Sequence, residues 1–149
     1  MLPPLARYIA MPPIVEQVPP LLYPLANRFY RQYQRGTKAN RQHHIWVIRE
    51  QNHQQDHILC CGCLQPVDDG YWLTSLLVAP EHRRRRLASA LLLHVRKQYS
   101  GPIWLFCAPD LKELYLQAGY QSASALPEAL AARLARYQRH KPLIALVSR

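Results

Sequence analysis

Four consecutive arginines, Arg83 to Arg86, stand directly before a helix-forming stretch. Ala88, Leu91, Leu92, Val95 and Tyr99 follow at spacings of three and four, which places them on one helical face. A helix N-terminus already carries unpaired N–H groups and partial positive charge. Adding guanidinium groups there is unfavourable unless something negative binds, and a phosphate fits that requirement best. Upstream, Leu73 to Val78 is an apolar run that reads as a buried strand, and Ala79-Pro80 stops it. The sequence therefore predicts a strand, a loop and a helix built around an anionic ligand.

Other residues carry chemistry on weaker patterns. Leu111, Leu114, Tyr115 and Ala118 share a helix face, so Tyr115 reads either as a core residue or as a phenol serving a site. A phenol with a pKa near 10 can supply a proton at neutral pH. Cys60-x-x-Cys63 has metal-like or redox-like spacing, but no second pair accompanies it. Ile58 to Leu64 reads as a buried strand, which favours core packing for these cysteines. No metal site is expected.

The elements that must position these groups follow from periodicity and turn signals. Seven of the 13 prolines precede Leu25, so residues 1–20 are expected to form an irregular lead-in with a short strand near Tyr8 to Met11. Leu22, Leu25, Ala26, Phe29 and Tyr33 mark an amphipathic helix that Arg35-Gly36-Thr37 ends. Strands are predicted at Ile45 to Ile48, Ile58 to Val67 and Tyr71 to Val78, the last two joined by a tight turn at Asp68-Asp69-Gly70. After the helix at about 86–99 come a strand at Ile103 to Cys107 and a short helix opened by an Asp110 to Glu113 capping box and closed by Gly119. A strand at Tyr120 to Ala123, a helix from Pro127 and a last strand at Pro142 to Val147 complete the chain. A strand, a crossover helix and a strand between Leu73 and Cys107 imply one parallel pairing in an otherwise antiparallel sheet. The fold class is α/β (α+β), in a single domain over residues 1–149.

Val78-Ala79-Pro80, then Arg83-x-x-x-x-Ala88, resembles motif A of the GCN5-related N-acetyltransferases, roughly V-x-P-x-x-R/Q-x-x-G-x-G/A. Tyr115-Leu-Gln-Ala-Gly119-Tyr120 is similar to the family's Y-x-x-x-G-F/Y element, and Gly62 fits a glycine common on its third strand. The resemblance covers nearly everything from Leu21 onward. It implies the acyl-CoA N-acyltransferase fold, with two central strands splayed to admit pantetheine. It also implies acetyl-CoA as co-substrate, bound by Leu76, Leu77 and Val78 and by Arg83, Arg84, Arg85, Arg86, Leu87, Ala88 and Ser89. Tyr115 would protonate the departing thiolate. Two positions depart from the pattern. Arg86 stands where the family has a glycine that lets backbone approach phosphate. Ala108 stands where an asparagine often begins the short helix. The helix beginning at Pro127 is longer than the family's usual link between its last two strands.

An attacking amine must be neutral, so a base or a water chain is required. Glu50, Asp68, Asp69, Glu81, His43, His44 and His57 are candidates, and Thr74 or Ser75 could position a water. Trp72 and Thr74 are the candidate acceptor contacts. A net charge of +10 favours an anionic partner. No apolar run approaches the length of a membrane span, and MLPPLARYIAMPP lacks the pattern of a signal peptide, so a soluble cytoplasmic protein is expected. The resemblance implies a small-molecule or peptide amine as acceptor, and family members often form homodimers. Two rival readings remain: a catalytically weak sensor of acyl-CoA, and a nucleic-acid-binding module using Arg83 to Arg86 with the basic face Arg133, Arg136, Arg139, His140 and Lys141.

Overall fold

A computed structural model describes residues 13–34, 36–40, 42–50, 57–83 and 86–149. The expected strand near Tyr8 to Met11 lies outside the described residues, as do Arg84 and Arg85. The elements run β1 (Val15–Gln17), α1 (Tyr23–Tyr33), β2 (His44–Arg49), β3 (Ile58–Val67), β4 (Gly70–Val78), α2 (Leu87–Gln98), β5 (Ile103–Cys107), α3 (Lys112–Gln117), β6 (Gln121–Ser122), α4 (Glu128–Tyr137) and β7 (Ile144–Ser148). They form a seven-stranded sheet in the order β1-β2-β3-β4-β5-β7-β6. Only β4 and β5 pair in parallel, with α2 as the crossover. The mixed, mostly antiparallel sheet is the one the sequence predicts.

Alternation along the strands gives each face its own helices. On one face Leu87, Leu91, Leu92 and Val95 of α2 pack with Leu64, Leu73, Leu105 and Leu146. Tyr115 of α3 belongs to the same cluster. On the other face Tyr23, Ala26, Phe29 and Tyr30 of α1 cover Ile45, Val47, Cys61 and Cys63. Beside that cluster, Leu130 of α4 covers Trp72, Trp104 and Val147. The four cysteines are buried and reduced. Cys60 is buried in the first cluster, and Cys61 and Cys63 in the second, where Cys63 Sγ lies 3.4 Å from the Tyr30 hydroxyl.

Two expectations are corrected. Val15–Gln17, expected to be irregular, is an edge strand whose register places Val15 opposite Ile48. The Asp110 to Glu113 capping box does not form: Pro109–Leu111 makes a 3-10 turn first, and Leu111, whose side chain cannot cap, precedes α3. The C-terminal end of α3 behaves as predicted. Gly119 adopts φ +92°, Tyr120 N–H donates to Tyr115 C=O at 3.0 Å and Gly119 N–H donates to Leu116 C=O at 3.0 Å. This double closure needs a left-handed residue at Gly119, and it fixes Tyr115 to the chain that leads into β6.

Candidate active site

β4 and β5 pair only from Tyr71 to Leu73 against Ile103 to Leu105. β4 then continues to Val78 along β3, while β5 continues to Cys107 along β7. The two strands therefore part, and among the described residues the β5-facing edge of β4 beyond Leu73 has no strand partner. A bulge helps to turn β4 away. Cys61 pairs with Leu77 and Cys63 with Thr74, so Gly62 opposes both Ser75 and Leu76. Ser75 takes φ +57° there. The Tyr30 hydroxyl reaches across from α1 and donates to Ser75 C=O at 2.8 Å, which holds the irregular backbone in place.

A cleft of roughly 890 Å³ lies against the part of β4 that has left β5. Its walls include Leu76, Leu77 and Val78 from β4, Arg83 and Arg86 from the loop, Leu87, Ala88 and Ser89 from the first turn of α2, and Tyr115 from α3. Every described residue that the sequence assigns to cofactor or acid roles thus lines one cavity. His82, Leu93, Leu111, Leu114 and Gln117 line it too and escape the sequence reading. They project from helical turns whose facing is set only once α2 and α3 dock together.

The N-terminus of α2 is open to an anion. No side chain caps it and no acidic residue lies in its first turn. Ala90 N–H closes the first helical bond to Arg86 C=O at 3.1 Å, so the N–H groups of Leu87, Ala88 and Ser89 precede the ladder. Arg86 itself is left-handed, with φ 58° and ψ 28°. The glycine-like conformation of the motif therefore survives the arginine. The Cβ is carried on strained backbone rather than forcing the loop open, and the side chain is exposed at the rim.

Tyr115 lines the same cleft and is 8% exposed. Burial pushes its hydroxyl up to about 12, with Cys107 and Cys60 nearby adding to the shift. The phenol is thus held protonated at neutral pH, the state in which it donates a hydrogen bond or a proton. Tyr120 packs edge-on to it at 6.3 Å.

The base candidates separate. Asp68 and Asp69 are exposed in the turn before β4, at the opposite end of that strand from the arginine loop. His44 Nδ1 lies 2.9 Å from the Tyr99 hydroxyl. Glu50, His57 and Glu81 line a second cavity of roughly 640 Å³ beneath α1. There Tyr33 donates to Glu81 Oε1 at 2.8 Å. Glu81 titrates below the ordinary carboxylate range because its own backbone N–H and the Tyr33 hydroxyl both favour the anion. His82 lines both cavities. Trp72 is 6% exposed and covered by Arg133, while Thr74 and Ser75 are half-buried.

A family model described as an acetyltransferase (GNAT) domain matches residues 41–122, more than half of the 149-residue chain. No curated protein matches the sequence. Among solved structures, the fold is similar to N-acetylglutamate synthase from Neisseria gonorrhoeae complexed with coenzyme A and N-acetyl-glutamate, at 16% identity and TM-score 0.63. That likeness covers 93% of this chain and 35% of the synthase, so the chain spans about a third of that enzyme's length. It is also similar to the ribosomal-protein-S18-alanine N-acetyltransferase from Escherichia coli, at 14% identity and TM-score 0.62, covering 92% of this chain and 93% of that one. The aminoglycoside 6'-N-acetyltransferase from Enterococcus faecium gives 16% identity and TM-score 0.64, covering 91% and 96%. Identities this low speak for the fold alone. Membership rests on the family match, which contains the arginine loop, the crossover helix and Tyr115: the chain belongs to the GCN5-related N-acetyltransferase family.

Proposed function

We propose that this protein transfers an acetyl group from acetyl-CoA to a primary amine by direct attack, with Tyr115 as general acid. The observation that carries this reading is the cleft where β4 and β5 part. Its walls combine an uncapped helix N-terminus, Arg83 and Arg86 with the buried, protonated phenol of Tyr115. Pyrophosphate would lie against Arg83, Arg86 and the first turn of α2. The β5-facing backbone of Leu76 and Val78 would pair with pantetheine, leaving the thioester near Tyr115. The amine nitrogen attacks the carbonyl carbon, a C–N bond forms and the C–S bond breaks. The thiolate takes a proton from Tyr115, the ammonium formed on attack releases one to solvent, and solvent restores the phenol.

Calorimetric titration with acetyl-CoA, CoA and ATP tests the substrate. Micromolar binding of acetyl-CoA with much weaker binding of ATP is expected. Absence of acetyl-CoA binding would overturn the proposal. Release of free CoA in the presence of amines then tests turnover, and CoA binding without turnover of any amine would favour an acyl-CoA sensor.

A further inference from the structure

The acyl-CoA cleft opens on the face that α2 and α3 cover, so an acceptor has the other face from which to approach. There α1 covers the strip of sheet formed by β2 and β3, and α4 covers the strip formed by β4, β5 and β7. Between them, on β4, lie the half-buried Thr74 and Ser75 beside the bulge. α4 is fixed to its strip by Leu130 and by Tyr137, which meets Phe106 edge-on at 6.3 Å. Arg133, one turn before Tyr137, lies with its guanidinium 4.9 Å from the centre of the Trp72 ring. Trp72 and Thr74 are two residues apart on the same face of β4, about 7 Å along the strand. A cation therefore sits over Trp72, the next residue along this face of β4 from Thr74.

Among the described residues no carboxylate pairs with Arg133. After Glu128, which opens α4, the chain from Ala129 to Arg149 has no Asp or Glu and five Lys or Arg. Arg136, Arg139 and Lys141 among them are exposed. An aromatic platform orients a guanidinium while leaving its edge N–H groups free for a planar anion.

We infer that α4 is a specificity element and that Arg133, held on Trp72, binds an anionic group carried by the acceptor amine. This rests on the acyltransferase reading above and adds the class of acceptor: a primary amine bearing a carboxylate or phosphate, not a polycation. Arg133 holds the anion and thereby sets the amine over Thr74, while the surrounding cations raise the local concentration of such molecules.

The test is a panel of acceptors assayed by CoA release: glutamate for a carboxylate, phosphoethanolamine for a phosphate, and spermidine and kanamycin as polycations. Wild type, Arg133→Lys, Arg133→Ala and Arg133→Glu are compared, with thermal unfolding to confirm that each folds. The anionic amines should be the better substrates, and the glutamate–phosphoethanolamine pair tells which anion is held. Arg133→Ala should raise KM for the better of them by about tenfold or more, with kcat falling less than KM rises. Arg133→Lys should recover part of that loss and Arg133→Glu should reverse the preference. Wild-type preference for spermidine or kanamycin, or a KM indifferent to all three substitutions, overturns the inference. Calorimetry of the same amines, with and without CoA, separates the two proposals. Arg133-dependent binding of an anionic amine by a protein that ignores acetyl-CoA keeps the inference and removes the acyltransferase reading. Acetyl-CoA binding with no Arg133-dependent binding of an anionic amine does the opposite.

Discussion

The two faces of the sheet are built in different ways. The face that holds the large cleft draws its lining mainly from two short stretches, Leu76 to Ser89 and Leu111 to Gln117, with outlying contacts such as Leu93. It offers mainly backbone: an unpaired strand edge and an uncapped helix end. The opposite face draws on residues as distant as Tyr30, Ser75 and Arg133, and it offers side chains. A ligand held by backbone can be kept through many side-chain changes, whereas one held by side chains is redefined by a single substitution. The cleft should therefore tolerate unusual residues such as Arg86, and the α1–α4 face should carry what is particular to this chain.

The sharpest way to break that contrast is Tyr115, the one side chain on the cleft face asked to do chemistry. Tyr115→Phe should lower kcat by about 100-fold or more while leaving acetyl-CoA affinity within about twofold, because the phosphates and pantetheine are held elsewhere. Turnover and calorimetric affinity measured on the same preparation decide it. An unchanged kcat would remove the phenol from the mechanism and return Tyr115 to the core.

The same residue makes a prediction about pH. Burial favours the neutral phenol, so its folded pKa of about 12 lies above the ordinary value of 10.0. Its contribution is fully present below pH 10 and is lost as pH rises toward 12. Two pKa units correspond to about 3 kcal/mol. Cys60, pushed by burial from 9.0 to about 12, acts in the same direction from pH 9 upward. Thermal unfolding followed from pH 8 to 12 should show a falling midpoint, with Tyr115→Phe showing a shallower fall between 10 and 12. Parallel curves for the two proteins would mean that the phenol is not buried as described.

A third test asks whether the helix end is truly the anion site. Ser89 lies in the first turn of α2 and lines the cleft. Ser89→Glu places a carboxylate where helix polarity welcomes it, so stability should be unchanged or slightly higher. The same carboxylate opposes a bound pyrophosphate, and acetyl-CoA affinity should fall by about tenfold. Lower stability with unaltered affinity would place the phosphates elsewhere.

The contrast also explains what could be read from the sequence. Ile58–Val67 and Ile103–Cys107 appear at the expected bounds because each is an apolar run closed by turn residues. Motif A and the tyrosine–glycine element are local, and Val78, Arg83, Arg86, Ala88 and Tyr115 from them line one cleft. Val15–Gln17 could not be read, since three residues without alternation become a strand only by pairing with β2. The bulge at Ser75 exists only in register against Gly62. Arg133 on Trp72 joins two elements far apart in sequence, and periodicity within α4 says nothing about the ring beneath it. The capping box failed because Pro109 started the turn early.

Arg86 gives the smallest effect and the finest probe. The sequence sets its Cβ against the approach of phosphate, whereas the structure keeps the left-handed backbone and leaves the side chain exposed. A left-handed arginine costs about 1 kcal/mol relative to glycine there, partly offset by the larger unfolded-state entropy of glycine. Arg86→Gly should therefore raise the thermal midpoint by about 2 °C. Acetyl-CoA affinity should fall severalfold, because backbone N–H groups keep most of the contact and only one guanidinium is lost. Arg86→Lys should keep the strain and part of the affinity, which separates charge from conformation. If Arg86→Gly both stabilises the protein and tightens acetyl-CoA binding, the arginine is merely tolerated at the rim. The cleft would then rest on backbone alone, and the division between the two faces would be complete.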